Sequence, residues 1–164
     1  MKYLYNFAIS LFGIVVRFLA IFNQKLALFV EGRKETFTKL KATIEPKEKS
    51  IWMHCASLGE FEQGRPILEA IRSSRPRYKI ILSFYSPSGY EVRKDYQGAD
   101  VVVYLPIDTK SNARKFIELV HPDMAIFVKY EFWPNILSVL KEQSIRTILV
   151  SGVFREDQVF FKSY

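Results

Sequence analysis

The chain has 164 residues, 49% of them hydrophobic and 25% charged, which is one ordinary domain with enough apolar material for a real core. That composition excludes a disordered tail, a collagen-like repeat and a disulfide scaffold, and a single cysteine, Cys55, excludes a multi-cysteine zinc site and fits a reducing compartment. The net charge of +7 is concentrated early, where residues 1–50 hold nine Lys/Arg against four Asp/Glu. Most Phe and Tyr residues lie in apolar runs rather than among the basic ones, so the excess points to an anionic membrane surface and not to nucleic acid.

The first element is apolar. Tyr3 to Phe22 carries one charge, Arg17. As a single helix these residues would be ~30 Å long, about the thickness of a bilayer core. Asn6, Ser10, Gly13, Arg17, Ala20 and Gln24 recur at helical spacing and form one narrow stripe of small and polar residues. The rest of the circumference is apolar, wider than on the surface helix of a soluble protein. No small-x-small cleavage site follows, and Arg17 interrupts the run, which argues against a secretory signal peptide. A buried helix of the domain and a membrane-associated helix, spanning or lying flat, both fit; the wide apolar face favours the second. Lys25, Arg33, Lys34, Lys39 and Lys41 follow, so the remainder of the chain is expected on the cytoplasmic side. The expected organisation is a membrane-associated helix over 1–30, a charged helix and linker over 31–49, and a Rossmann-like domain over 50–164.

From Ser50 the pattern alternates. Strands are predicted at Ile51–Cys55, Lys79–Phe84, Val101–Leu105, Met124–Val128 and Arg146–Val150. Helices are predicted at Glu60–Ser73, Tyr90–Tyr96, Thr109–Val120 and Pro134–Gln143. Short β-branched runs separated by amphipathic helices mean βαβ units and a parallel, Rossmann-like α/β sheet.

In such a sheet, ligands bind beyond the carboxyl ends of the strands. The first of those loops, Ala56–Glu60, reads as a helix cap: Ser57 caps, and Glu60 completes a capping box. It also reads as a site, with Gly59 admitting close approach and Glu60 at the cleft edge as a base. Ser86, Ser88 and Gly89 form either a capped turn or an anion-binding loop. Asp108 is either a cap or a contact to a sugar or cation. Glu131 and Trp133 precede a helix opened by Pro134, with Trp133 expected in the core. A fifth loop runs over Ser151–Arg155. His54 and His121 are each too isolated to suggest a metal, and Cys55 fits a buried small residue better than a nucleophile.

Taken in order, these loops resemble the motifs of one family. Trp52-Met53-His54-Cys55-Ala56-Ser57-Leu58-Gly59-Glu60 resembles the W-x-H-x-A-S-V-G-E signature of bacterial 3-deoxy-D-manno-octulosonic acid (Kdo) transferases. Ser86-Pro87-Ser88-Gly89 is similar to its T-x-T-G, Tyr104–Asp108 to its Y-x-P-x-D, and Glu131-Phe132-Trp133-Pro134-Asn135 to its E-L-W-P-N. The resemblance implies the N-terminal half of a GT-B glycosyltransferase at the inner membrane. Its acceptor is a lipid A precursor; its donor, CMP-Kdo, binds a second domain, which this chain is expected to lack. Transfer is inverting, with no cofactor or metal expected. Glu60 falls on the proposed general base, and Ser57, Gly59, Ser86, Ser88, Gly89, Asp108 and Glu131 fall in the family's motif segments. Two segments depart from the family pattern: Lys129 stands where an acidic residue is frequent, and Ser151–Arg155 matches N-x-R-x-S poorly. The apolar run Val159–Tyr164 reads as the middle of a longer protein.

Overall fold

The computed structural model describes residues 2–152 and Phe154. The fifth loop therefore lies only partly within the described residues, and Val159–Tyr164 lies outside them. Three helices come first: α1 (Lys2–Leu19), α2 (Gln24–Lys34) and α3 (Thr36–Thr43). Strands and helices then alternate as β1 (Ser50–Cys55), α4 (Leu58–Ser74), β2 (Lys79–Phe84), α5 (Pro87–Arg93), β3 (Val101–Tyr104), α6 (Lys110–Val120), β4 (Met124–Val128), α7 (Pro134–Glu142) and β5 (Arg146–Val150). The five strands form one all-parallel sheet in the order β3-β2-β1-β4-β5. This is the α/β class expected from the sequence.

Side-chain alternation on β1 divides the core in two. Ile51, Met53 and Cys55 face α4 and α5, packing with Phe61, Leu68 and Phe84. Trp52 faces the other way, against α3, α6 and α7, where the rings of Phe116 and Phe127 meet it edge-on at 4.9 and 5.2 Å. α6 buries Ala113, Phe116, Ile117 and Val120, as its spacing predicts. Burying each such large side chain contributes about 1.5–3 kcal/mol. Gly64 lets α4 lie close on the sheet: a Cβ there would sit 2.9 Å from Val128 Cγ2 and 3.1 Å from Met53 Sδ. The α5 helix starts three residues earlier than its apolar spacing suggests, because Ser86 caps it and Pro87 opens it.

The N-terminal segment departs most from expectation. The predicted helix through Phe22 stops at Leu19. Asn23 then caps α2, its side-chain oxygen accepting from Lys25 N and Leu26 N. The helical run Gln24–Thr43 is bent by 119° from α1, and among the described residues no single helix is long and apolar enough to cross a membrane. The face that α1 presents to the domain carries Tyr5, Asn6, Gly13 and Val16, whereas Ser10 and Arg17 of the expected stripe are exposed. Tyr5 Oη donates to Asp108 Oδ2 at 2.7 Å, Asn6 Oδ1 accepts from Asn135 Nδ2 at 2.8 Å, and Gly13 packs on Ile107. The apolar face points outward, with Tyr3, Leu4, Phe7, Ile14 and Phe18 between 62% and 89% exposed.

Candidate functional site

The strand order places a switch point between β1 and β4, because the chain leaves β1 toward β2 on one side and returns to β4 on the other. At such a point the loops after the two strands splay apart and leave a crevice. Glu60, on the first turn of α4, and Glu131, in the loop after β4, flank it, near enough for the Glu131 charge to act on Glu60.

Glu60 is held by the start of its own helix. Ser57 Oγ accepts from Glu60 N at 3.4 Å, and Glu60 Oε2 accepts from Ala56 N at 2.5 Å. This is close to a capping box, so the structural reading and the functional one apply to the same residue. Burial pushes the Glu60 carboxyl above the usual carboxylate range, and the Glu131 charge adds to that; the Ala56 amide, His54 and Lys129 pull the other way. Such a carboxylate is a stronger base than an exposed one.

Glu131 is positioned by residues that the sequence reading set aside. Trp133 Nε1 donates to Glu131 Oε2 at 3.1 Å, and His54 Nε2 lies 3.5 Å from the same oxygen. The His54 ring is fully buried, and its Nε2 has no hydrogen bond other than this longer approach. Behind it, Trp52 Nε1 donates to Ser83 Oγ at 2.7 Å, and His54 Nδ1 lies 2.9 Å from the same hydroxyl and 3.1 Å from the Ser83 carbonyl oxygen. The sequence signal was Trp52 and His54 two apart on a central strand, which turns both toward one face. The partner Ser83 lies beside His54 on β2. Trp133 is half-buried, with its ring 4.6 Å from that of Tyr85, and so lies between core and crevice.

The other predicted residues separate. A Cβ on Gly59 would meet nothing within 4 Å, so the fold does not require glycine there and the space above it is open. Gly89 is the reverse: a Cβ would sit 2.2 Å from Phe84 Cδ1, so this glycine serves packing. Ser86 Oγ accepts from Ser88 N and lies 3.0 Å from Ser88 Oγ, a capped turn at the edge of the same strand-end surface. Asp108 lies outside the crevice. It is fully buried; Oδ1 accepts from Ile136 N at 2.9 Å, and Oδ2 from Asn135 N at 3.0 Å and from Tyr5. It therefore caps α7, not its own helix, and the three bonds that it accepts all come from within the fold. Burial pushes the Cys55 thiol up, which leaves it inert. Lys129 takes a left-handed φ of 63° that swings the following loop back over β1. Among the described residues, no three His, Cys, Asp or Glu side chains gather to hold a metal.

Comparison with known proteins decides the family. The model of a family described as 3-deoxy-D-manno-octulosonic-acid transferase (kdotransferase) matches residues 31–161. The chain belongs to the Kdo transferase family. It is 31% identical over 106 residues to a 3-deoxy-D-manno-octulosonic acid transferase of Aquifex aeolicus, covering 64% of this chain and 29% of that protein. It is 29% identical over 108 residues to the Haemophilus influenzae protein of that name, covering 65% and 25%. A bifunctional glycosyltransferase/methyltransferase of Fusobacterium nucleatum is 29% identical over 134 residues, covering 79% of this chain and 20% of its own length. The chain thus spans less than a third of these curated relatives. In this chain, the first and fourth sequence motifs, which carry Glu60 and Glu131, flank the switch point, and the third caps α7 through Asp108.

Proposed function

We propose that this chain is the acceptor-binding half of an enzyme that transfers Kdo from CMP-Kdo to a lipid A precursor in lipopolysaccharide synthesis. The observation that carries this is the convergence of Glu60 and Glu131 at the β1/β4 switch point of a chain in the Kdo transferase family. In the proposed step, Glu60 takes the proton of the acceptor hydroxyl as its oxygen attacks the anomeric carbon of Kdo. The bond to CMP breaks with its electron pair, and CMP leaves. No covalent enzyme intermediate is required. The donor is held by residues outside the 164, so this chain alone binds acceptor without transferring to it.

The test is transfer by the full gene product with CMP-Kdo and a lipid A precursor. Glu60→Gln lowers the rate by roughly 10²–10⁴-fold if Glu60 is the base. Unchanged transfer removes it from the mechanism, and transfer by the 164-residue chain itself overturns the division of labour.

The same reading places the protein on the cytoplasmic face of the inner membrane, with α1 lying in the interface. The outward apolar face of α1 and the basic residues after it support that. Flotation with anionic vesicles tests it: Phe7→Ser, Ile14→Ser and Phe18→Ser together abolish binding while the chain stays folded.

A further inference from the structure

A second feature lies apart from the carboxylate crevice. Between α1, α2 and the segment after β3 is a cavity of about 380 Å³, lined by Arg17, Phe29, Arg33, Lys34, Pro106 and Asn112 among others. Three of its lining residues are cationic and none is Asp or Glu. Lys34 is paired outside it, with Glu31 at 2.7 Å on the exposed side of α2.

Arg33 is the unusual member. Its side chain is partly buried, with Nε cut off from solvent, yet none of its hydrogen bonds goes to a carboxylate. Nη1 donates to Phe29 O at 2.9 Å and Nη2 to Tyr85 O at 2.7 Å, while Nε is buried without a partner. Aromatic faces fill the remaining contacts: Phe29 at 3.4 Å, Tyr85 at 4.8 Å and Tyr104 at 4.9 Å from the guanidinium carbon. Carbonyls and rings carry no formal charge, so they leave the cation uncompensated, and burying it costs desolvation that an anion repays. Burial lowers its pKa to about 9, which still leaves it charged at neutral pH.

We infer that this cavity is an anion site that takes a phosphate group, with Arg33 as its charged floor and Arg17 and Lys34 at its rim. Arginine presents several N–H donors in one plane, which suits phosphate oxygens. The wall of the cavity continues into the outward apolar face of α1, where the Phe12 ring meets Phe29 edge-on at 6.3 Å. A phosphate at the head of a lipid therefore fits better than a soluble one. The inference does not rest on the transfer reading, since it concerns binding at a separate cavity and is read without catalysis.

Thermal unfolding of the 164-residue chain in phosphate, against chloride at matched ionic strength, tests the site. A saturable rise in Tm is expected, with the apparent Kd for inorganic phosphate weakened roughly tenfold in the Arg17→Gln, Lys34→Gln double variant. In Arg33→Met the phosphate-specific rise is lost; the variant also loses the donors to Phe29 O and Tyr85 O, so its Tm in chloride serves as its own reference. Should Arg33→Met not fold, the double variant carries the test, since both its positions are exposed. The same proteins are then floated with vesicles of phosphatidylcholine containing phosphatidic acid or none. Phosphatidic-acid binding that weakens about tenfold in the double variant assigns a lipid headgroup; a variant-sensitive Tm response with unaltered vesicle binding assigns a soluble phosphate. If parent and variants respond alike in both assays, phosphate acts only as a general stabilising salt and the inference is overturned.

Discussion

Two groups of buried or half-buried carboxylates lie beyond the ends of the strands, and they differ in what surrounds them. Asp108 is closed: two backbone amides of α7 and the Tyr5 hydroxyl donate to its two oxygens, and no part of it reaches solvent. Glu60 and Glu131 are open: each is only half-buried, and the bonds they make leave oxygen capacity facing the crevice. A carboxylate whose acceptor capacity is spent on backbone amides is part of the scaffold. One left partly unsatisfied beside a second charge can exchange a proton. By that criterion the third sequence motif serves the scaffold, and the first and fourth hold the carboxylates that the proposed step uses, although as strings all three look alike.

Asp108→Ala is the sharpest way to break this contrast. It leaves two buried amides and a hydroxyl without an acceptor, and stability falls by about 3 kcal/mol or more in urea titration. Transfer by the full gene product should decline only with the folded fraction; a rate loss in fully folded protein would place Asp108 in the site after all. Ser83→Ala comes next, at about 1–3 kcal/mol, because the Trp52 indole N–H loses its acceptor. It also removes the hydroxyl beside His54 Nδ1, leaving that nitrogen the Ser83 backbone carbonyl at 3.1 Å. Nitrogen-15 NMR reads the change as a shifted His54 Nδ1 resonance, since the chain has only two histidines; an unaltered resonance would refute the contact.

Smaller effects sharpen the comparison. Gly59→Ala stabilises α4 by about 0.5–1 kcal/mol, because the new methyl meets nothing and alanine favours helix. The same substitution narrows the open crevice, so acceptor binding weakens; binding and activity equal to the parent would show that no ligand comes near Gly59. The smallest effect is that of Glu60→Gln on stability. A raised carboxyl pKa means that the fold is favoured by protonation. The parent's deficit is therefore largest once the carboxyl is ionised in the folded chain, shrinks as pH falls, and is gone below about 4.3, the ordinary glutamate value. The variant should unfold at slightly higher urea at pH 7 and at the same urea near pH 4.

Much of this was legible before any coordinates. The five β-branched runs specify the sheet, since strands buried on both faces leave an uninterrupted apolar signature. The crevice follows from where those runs end. The role of Asp108 was not legible, because its partners lie in α7 and on a helix 103 residues earlier. Nor was that of Gly89, whose reason is the Phe84 ring at the end of the preceding strand. The stripe on α1 was visible in the sequence, but only part of it, Asn6 and Gly13, turns inward, while Ser10 and Arg17 stay exposed. Periodicity reports two unlike faces; the hooks Asp108 and Asn135, which engage Tyr5 and Asn6, decide the rotation.

Those hooks set a schedule for the protein's birth. The seat of α1 is made of residues 103 and 129 positions downstream of Tyr5 and Asn6. At ~5–20 residues per second of synthesis, that seat does not exist until several seconds after the helix has left the ribosome. Until then α1 has only the neighbouring α2 to rest on, through the edge-on contact of Phe12 with Phe29, and its polar hooks go unmet.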